Sequence, residues 1–133
     1  MSSFDAPRPR PAPDSVSGTT LQGETQTKTL DGLTLIVAIK QSCDGCRDFV
    51  NSSLDELHNV TVMILSDTGD NAGEWGDAVQ PILVAPEVLV ALGIRWPPFY
   101  VLVDPAQRLI VSEGVVFGPA QVAAEIRPYV THP

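Results

Sequence analysis

The chain has 133 residues, of which 16 are acidic and 8 are basic, so its formal net charge is −8. This length suits one domain with a core of its own. The negative charge and the lack of a basic run exclude nucleic acid and anionic membranes as direct partners, and no apolar run is long enough for membrane insertion.

The first 20 residues are rich in proline, with four of the twelve prolines at positions 7, 9, 11 and 13. Such a segment is stiff and buries little apolar area, so the sequence predicts a disordered arm over residues 1–20 and a folded domain over residues 21–133. A proline-rich docking peptide is the alternative interpretation of the arm. Because the N-terminus lacks the apolar stretch of a secretory signal, we expect a cytoplasmic protein.

The next segments predict two strands and a helix. Residues 21–29 are polar with alternating threonines, which favours an edge strand, and residues 33–39 form an apolar run that predicts one fully buried strand. A helix is predicted over residues 47–57, because Val50, Leu54 and Leu57 form an apolar stripe.

Between the buried strand and this helix lie Cys43 and Cys46, the two cysteines of the chain. The free N–H groups and the positive end of a helix dipole favour a thiolate on the first cysteine of such a pair. The second cysteine lies one turn away, close enough to form a disulfide. A C-x-x-C at a strand-to-helix junction therefore indicates a redox dithiol.

Two other interpretations of the cysteine pair stay open. A zinc site needs four ligands, and the two histidines, His58 and His132, are not at zinc-finger spacing, so the sequence predicts no metal and no other cofactor. The cysteines also suit an apolar core, where free cysteine is common and inert.

The middle of the chain alternates between strand and helix signals. Residues 59–65 are apolar and β-branched, which predicts a second buried strand, and residues 66–80 have no regular period and are predicted as loop. A short strand follows over residues 81–84. The next helix begins at Pro86, which suits a first helical position, and ends at Gly93.

The C-terminal part predicts a hairpin and a last helix. Residues 99–103 form a strand, residues 104–107 a turn, and the return strand begins at residue 108. Gly118 and Pro119 open the closing helix. Strands that alternate with helices and then form a hairpin predict an α/β fold with a mixed sheet of about five strands and helices on both faces.

This order of features over residues 21–130 resembles the thioredoxin superfamily, and within it the redoxin-like group related to TlpA and MauD. The resemblance implies thiol-disulfide exchange, in which Cys43 attacks a disulfide and Cys46 resolves the mixed intermediate. It also implies that Pro98 is a cis proline beside the dithiol, where a substrate strand pairs with the preceding backbone.

The chain departs from the thioredoxin pattern at three places. Many thioredoxins have a buried acid six residues before the first cysteine, and here that position is Val37. Ser42 replaces the usual aromatic residue before the first cysteine, and Asp44 and Gly45 replace the usual Gly-Pro. These departures argue against a fast general disulfide reductase and leave the exchange chemistry itself intact.

A substrate-binding rim is predicted at Trp96, Pro97 and Pro98. Pro97 has no N–H, which weakens generic main-chain recognition. Trp96 and Pro97, with Phe99 or Trp75 as further members, are expected to offer an apolar patch that favours few partners of matching shape. The alternative is that Trp96 and Phe99 are ordinary core residues.

The predicted function is a thiol-disulfide oxidoreductase acting on a protein partner, and the alternative is a non-enzymatic binding module or redox sensor that uses the same rim. The oligomeric state stays open.

Overall fold

The structure is a computed structural model that describes residues 10–40, 43–51, 54–57, 60–67 and 80–130. Within these residues the chain forms one mixed sheet of eight strands and three α-helices. The strands are β1 (Arg10–Pro11), β2 (Ser15–Thr20), β3 (Thr25–Thr29), β4 (Thr34–Ile39), β5 (Thr61–Ser66), β6 (Ile82–Val84), β7 (Phe99–Asp104) and β8 (Leu109–Val115). The helices are α1 (Asp44–Asn51), α2 (Pro86–Ala91) and α3 (Pro119–Val130).

The sheet order is β1-β8-β7-β4-β5-β6-β2-β3, with β4 near the centre. Strand β4 pairs in parallel with β5 and antiparallel with β7, and β7 and β8 form the predicted hairpin. The N-terminal end of β7 therefore meets the C-terminal end of β4. This arrangement brings the segment before β7 to the same end of the strands at which the cysteine motif begins.

All six residues of β4 are buried, because layers cover both faces of the sheet. Alternate side chains enter different cores, as the two-residue period of a strand requires. Leu35, Val37 and Ile39 pack with side chains of α1 and α3, whereas Ile36 and Ala38 pack with side chains of α2. The predicted α/β fold with helices on both faces is confirmed.

The strand count is larger than the predicted five, and the N-terminal arm is shorter than predicted. Strands β1 and β2 lie within residues 1–20, so the prediction of disorder is wrong for residues 10–20. Val16 is fully buried, and β2 is covered on both edges by antiparallel pairing with β3 and β6. These pairings with later strands bury apolar area that the local composition does not indicate. Residues 1–9 lie outside the described residues. Strand β3 forms the predicted edge strand.

Helix α1 is shorter than the predicted helix over residues 47–57. It ends at Asn51, and a separate 3₁₀ turn covers Asp55–Leu57. Leu54 has a positive φ of 59°, which a continuous α-helix does not allow. The apolar stripe still predicts burial correctly, since Val50, Leu54 and Leu57 all lie in the core.

The later elements begin and end close to the predicted residues. Helix α2 begins at Pro86 and ends ahead of Gly93, which has a φ of 73°. The N–H of Gly93 donates to the Val90 carbonyl, and that of Ile94 donates to the Leu89 carbonyl, each at 3.0 Å. This pattern is the Schellman motif, in which a left-handed residue satisfies the last carbonyls of a helix. The predicted loop over residues 66–80 falls mostly outside the described residues.

Candidate functional site

The candidate site lies where β4 leads into α1. Cys43 and Cys46 form a disulfide, with their Cα atoms 5.2 Å apart. Cys43 occupies the N-cap position of α1, because its carbonyl accepts from the N–H of Arg47 at 3.1 Å. Its Sγ accepts from the N–H of Cys46 at 3.2 Å. The sulfur therefore lies where an N-cap side chain usually accepts a hydrogen bond, and the same N–H stabilises a thiolate after reduction.

The two cysteines differ in exposure. Cys43 is 8% exposed, whereas Cys46 is fully buried and packs with Phe49 and Val50 in the core between the sheet and α1. Of the two cysteines, Cys43 is therefore the one with exposed surface. The roles that the resemblance implies, with Cys43 attacking and Cys46 resolving, stay a prediction.

The charged residues next to the dithiol point into solvent. The side chain of Asp44, the first residue of α1, is 99% exposed, and one of its carboxylate oxygens lies 3.6 Å from the Arg47 guanidinium. Both groups are solvated, so their effect on Cys43 is screened by water. Within the part of the chain that the structure describes, the hydrogen bond to the Cys43 sulfur comes from the N–H of Cys46.

Pro98 lies at the same end of the sheet as the dithiol. Ala38 of β4 pairs with Phe99 of β7, so Pro98 lies level with the end of β4 from which the chain continues toward Cys43. The peptide bond between Pro97 and Pro98 is cis. The Pro98 carbonyl accepts from the N–H of Val116 at 3.2 Å, which attaches this segment to the turn before α3.

The predicted rim is at the surface. Trp96 is 81% exposed, so the alternative that it is a core residue is wrong, whereas Phe99 is half-buried and packs against the core on the α2 side. Pro97 and Pro98 are also half-buried. Trp96 therefore presents a large apolar side chain to solvent near the end of the sheet from which the chain continues toward Cys43.

The sequence analysis missed Phe117, which lies in the turn between β8 and α3. Its side chain is 75% exposed. A Cβ placed on Gly45 would lie 2.8 Å from the carbonyl oxygen of Phe117, so this turn packs directly on the motif between the two cysteines. The signal was a glycine within the C-x-x-C, because a glycine inside a helix often marks a close backbone approach.

The position of the missing acid is occupied by a fully buried apolar side chain. Val37 pairs across the sheet with Tyr100, and both belong to the core that contains the cysteines. The Tyr100 hydroxyl donates to the Glu125 carboxylate at 2.8 Å and lies 3.2 Å from the Ser112 hydroxyl. Burial raises the pKa of Tyr100 to about 12, with the Glu125 carboxylate acting in the same direction and the Ser112 hydrogen bond opposing it.

Among the residues that the structure describes, no group of three or more His, Cys, Asp or Glu side chains is placed to bind a metal ion. In the same residues, no helix combines the length and apolar character needed to cross a membrane.

No family model and no curated protein matches the chain, whereas solved structures do. A thioredoxin-family thiol:disulfide interchange protein from Chlorobium tepidum has a TM-score of 0.62 and 18% identity, covering 95% of this chain and 99% of that chain. The thioredoxin domain of a thiol-disulfide oxidoreductase from Bacteroides vulgatus has a TM-score of 0.66 and 17% identity, covering 96% and 100%. StoA from Bacillus subtilis has a TM-score of 0.60 and 14% identity, covering 86% and 98%. The chain therefore has the thioredoxin fold, which it shares with thiol:disulfide interchange proteins of the thioredoxin family.

Proposed function

We propose that the chain is a thiol-disulfide oxidoreductase that acts on a protein partner through Cys43 and Cys46. The observation that carries the proposal is the asymmetry of the pair. The Sγ of Cys43 accepts an N–H at the start of α1 and Cys43 is 8% exposed, whereas Cys46 is fully buried. An attacking thiol needs stabilisation as a thiolate and access to the substrate, and a resolving thiol needs only to reach the first sulfur.

The exchange balances in two steps. The Cys43 thiolate attacks one sulfur of the partner disulfide, which forms a mixed disulfide and releases one partner thiolate. The Cys46 thiolate then attacks the Sγ of Cys43, which forms the Cys43–Cys46 disulfide and releases the second partner thiolate. The dithiol loses two electrons and the partner gains two, and the two protons of the dithiol end on the partner thiols. The reverse sequence oxidises a partner dithiol.

The partner surface that fits this site is apolar around its disulfide. Trp96 and Phe117 are both strongly exposed, and Phe117 packs through its carbonyl on the motif between the cysteines. Pro97 offers no N–H to a docked strand, so side-chain contacts contribute more to recognition than main-chain pairing does. We include Trp96, Pro97 and Pro98 in the substrate-binding rim and add Phe117 to it.

A second candidate is a non-enzymatic binding module or redox sensor that uses the same rim. The observation that favours it is the apolar side chain of Val37, which supplies no proton acceptor to the buried cysteine. In this alternative the disulfide is either static or a switch for binding, and the rim around Trp96 contacts the partner without covalent exchange.

Trapping of the mixed disulfide separates these functions. Cys46→Ala leaves the first step intact and abolishes the second, so we expect a covalent adduct with a partner from cell extract that survives a non-reducing gel and disappears with reductant. Cys43→Ala is the matched control, and we expect it to form little adduct because Cys46 is inaccessible. The full chain also reduces insulin with a thiol donor if the proposal is right.

The opposite result is equally defined. If neither variant forms an adduct and the wild-type protein does not reduce insulin, the oxidoreductase proposal is wrong. Noncovalent capture of a partner that Trp96→Ala abolishes would then favour the binding module. The cytoplasmic location expected from the sequence stays a prediction.

A further inference from the structure

The turn between β8 and α3 is bound by a single side chain from the first part of α3. The Gln121 carbonyl oxygen accepts from the N–H of Phe117 at 2.7 Å and from that of Gly118 at 3.3 Å. Its amide nitrogen donates to the Val115 carbonyl at 2.9 Å and to the Glu125 carboxylate at 2.6 Å. Both N–H groups and the oxygen of this amide therefore form hydrogen bonds. No other uncharged side chain of this length has two N–H donors and a carbonyl acceptor at its end.

The same turn contacts the site on two sides. The Phe117 carbonyl lies against Gly45, at 2.8 Å from where a Cβ would be, and the N–H of Val116 donates to the Pro98 carbonyl. The turn thus bridges the motif between the cysteines and the segment before β7. A shift of this turn changes the position of the exposed Phe117 ring relative to Cys43.

The hydrogen-bond chain continues from the turn into the core. Glu125 accepts from Gln121 with one carboxylate oxygen and from the buried Tyr100 hydroxyl with the other. Tyr100 is 1% exposed and lies on β7, two residues after Pro98. This series of hydrogen bonds is therefore anchored in the sheet through Tyr100, so the position of the turn depends on the position of β7.

We propose that Gln121 is a positioning residue, which fixes the turn so that Phe117 lies beside the dithiol and contacts the protein partner. The inference rests on the proposed function and deepens it, because it assigns partner recognition to a residue that does not touch the cysteines. Gln121 acts on binding of a large substrate. It does not act on the exchange chemistry, which depends on Cys43 and the N–H of Cys46.

Gln121→Ala tests this role in two independent measurements on the full chain. In hydrogen exchange, the amides of Phe117 and Gly118 lose their acceptor, and we expect their exchange to accelerate by about tenfold or more. In the insulin assay, we expect the KM for insulin to rise by about tenfold with little change in kcat. Oxidation of the dithiol by oxidised glutathione, a small disulfide that does not need Phe117, should change by less than about twofold.

Two further variants make the test specific. Phe117→Ala should raise the KM for insulin as Gln121→Ala does, and the double variant should be no worse than either single one, because both remove the same contact. Gln107→Ala is the matched control, since Gln107 is exposed and its amide donates to Asp104 in the turn at the other end of the hairpin. We expect it to leave the KM for insulin unchanged.

Each outcome decides between defined alternatives. If the wild type exchanges with insulin and Gln121→Ala has the wild-type KM, the positioning role is wrong and the oxidoreductase function stands. If Gln121→Ala reacts more slowly with insulin and with oxidised glutathione by the same factor, the positioning role is also wrong, since Gln121 would then act on folding or on the exchange chemistry. If the amides of Phe117 and Gly118 exchange at the wild-type rate in Gln121→Ala, the hydrogen bonds do not fix the turn. A wild type that reacts with neither disulfide would overturn the proposed function and this inference with it.

Discussion

Tyr100 shows what one buried polar residue contributes to this fold. Its ring fills the core beside the dithiol, and its hydroxyl reaches the Glu125 carboxylate at the margin of that core. Burial raises the pKa of Tyr100 to about 12 from the ordinary value of 10.0. The hydroxyl therefore keeps its proton in the folded state over a pH range in which the unfolded chain has lost it.

This difference in pKa predicts a loss of stability at alkaline pH. The folded state binds more protons than the unfolded state between about pH 10 and pH 12, so the free energy of unfolding falls as the pH rises through this window. Below this window the stabilising contribution of the Tyr100 proton is fully present. We expect Tyr100→Phe to remove about 1–2 kcal/mol of this fall, measured as urea unfolding free energies from about pH 9 to pH 11.5. An unchanged fall in Tyr100→Phe would contradict the argument.

Among the elements, helix α1 depends on the turn before α3. Gly45 allows the helix backbone to approach the Phe117 carbonyl, because no side chain intervenes. The cysteine motif and this turn are distant in the sequence, so their contact forms only when β8 and α3 have reached their places. The backbone geometry between Cys43 and Cys46 thus depends on both α1 and the turn before α3.

Gly45→Ala tests this contact. The new Cβ would lie 2.8 Å from the oxygen and 3.0 Å from the carbon of the Phe117 carbonyl, and backbone atoms cannot rotate away as a side chain can. We expect a loss of about 1–3 kcal/mol in the urea unfolding free energy of the oxidised protein, partly offset by the better helix propensity of alanine. Gly118→Ala is the matched control, because nothing lies within 4 Å of its Cβ position. Equal stability of the two variants would show that the close approach is absent.

At the scale of the whole molecule, the sheet separates two cores with different roles. The core on the α1 and α3 side contains both cysteines, whereas the core on the α2 side contains Val16 and no functional residue that we identify among the described residues. Strand β2 extends this second core at the side of the sheet away from β7 and β8. We therefore expect substitutions there to change stability and to leave the chemistry unchanged.

Val16→Ala tests whether β2 is an integral strand. Val16 is fully buried, and we expect its truncation to lower the unfolding free energy by about 2 kcal/mol through lost packing and the resulting cavity. The rate of dithiol oxidation by oxidised glutathione should stay at the wild-type value. Val90→Ala makes the same change at a position 79% exposed and should have almost no effect on stability. If Val16→Ala is as stable as Val90→Ala, residues 15–20 do not contribute to the core.

The sequence by itself determined the features that depend on a few neighbouring residues. An apolar run followed by C-x-x-C and a helical stripe predicts the junction at Cys43, and Pro86 and Gly93 predict the ends of α2, because strand burial, capping and helix termination act over one or two turns. The spacing of three residues also predicts that Cys43 and Cys46 are close enough to form a disulfide. These local signals were enough for the fold class and for the position of the cysteine pair at the start of α1.

Only the tertiary structure decided the features that depend on residues far apart in the chain. Strand β2 was predicted as disordered because it belongs to a proline-rich segment that buries little apolar area by itself, and its burial comes from pairing with β3 and β6. Trp96 suits a core or a surface equally by its type, and the packing of β7 leaves it exposed. Phe117 and Gln121 carry no motif. The turn that contains Phe117 reaches Gly45 because the hairpin and α3 return to the end of β4, and Gln121 hydrogen-bonds to this turn. Contacts of this kind depend on which surfaces the folded sheet brings together, and no local pattern of residue types encodes that.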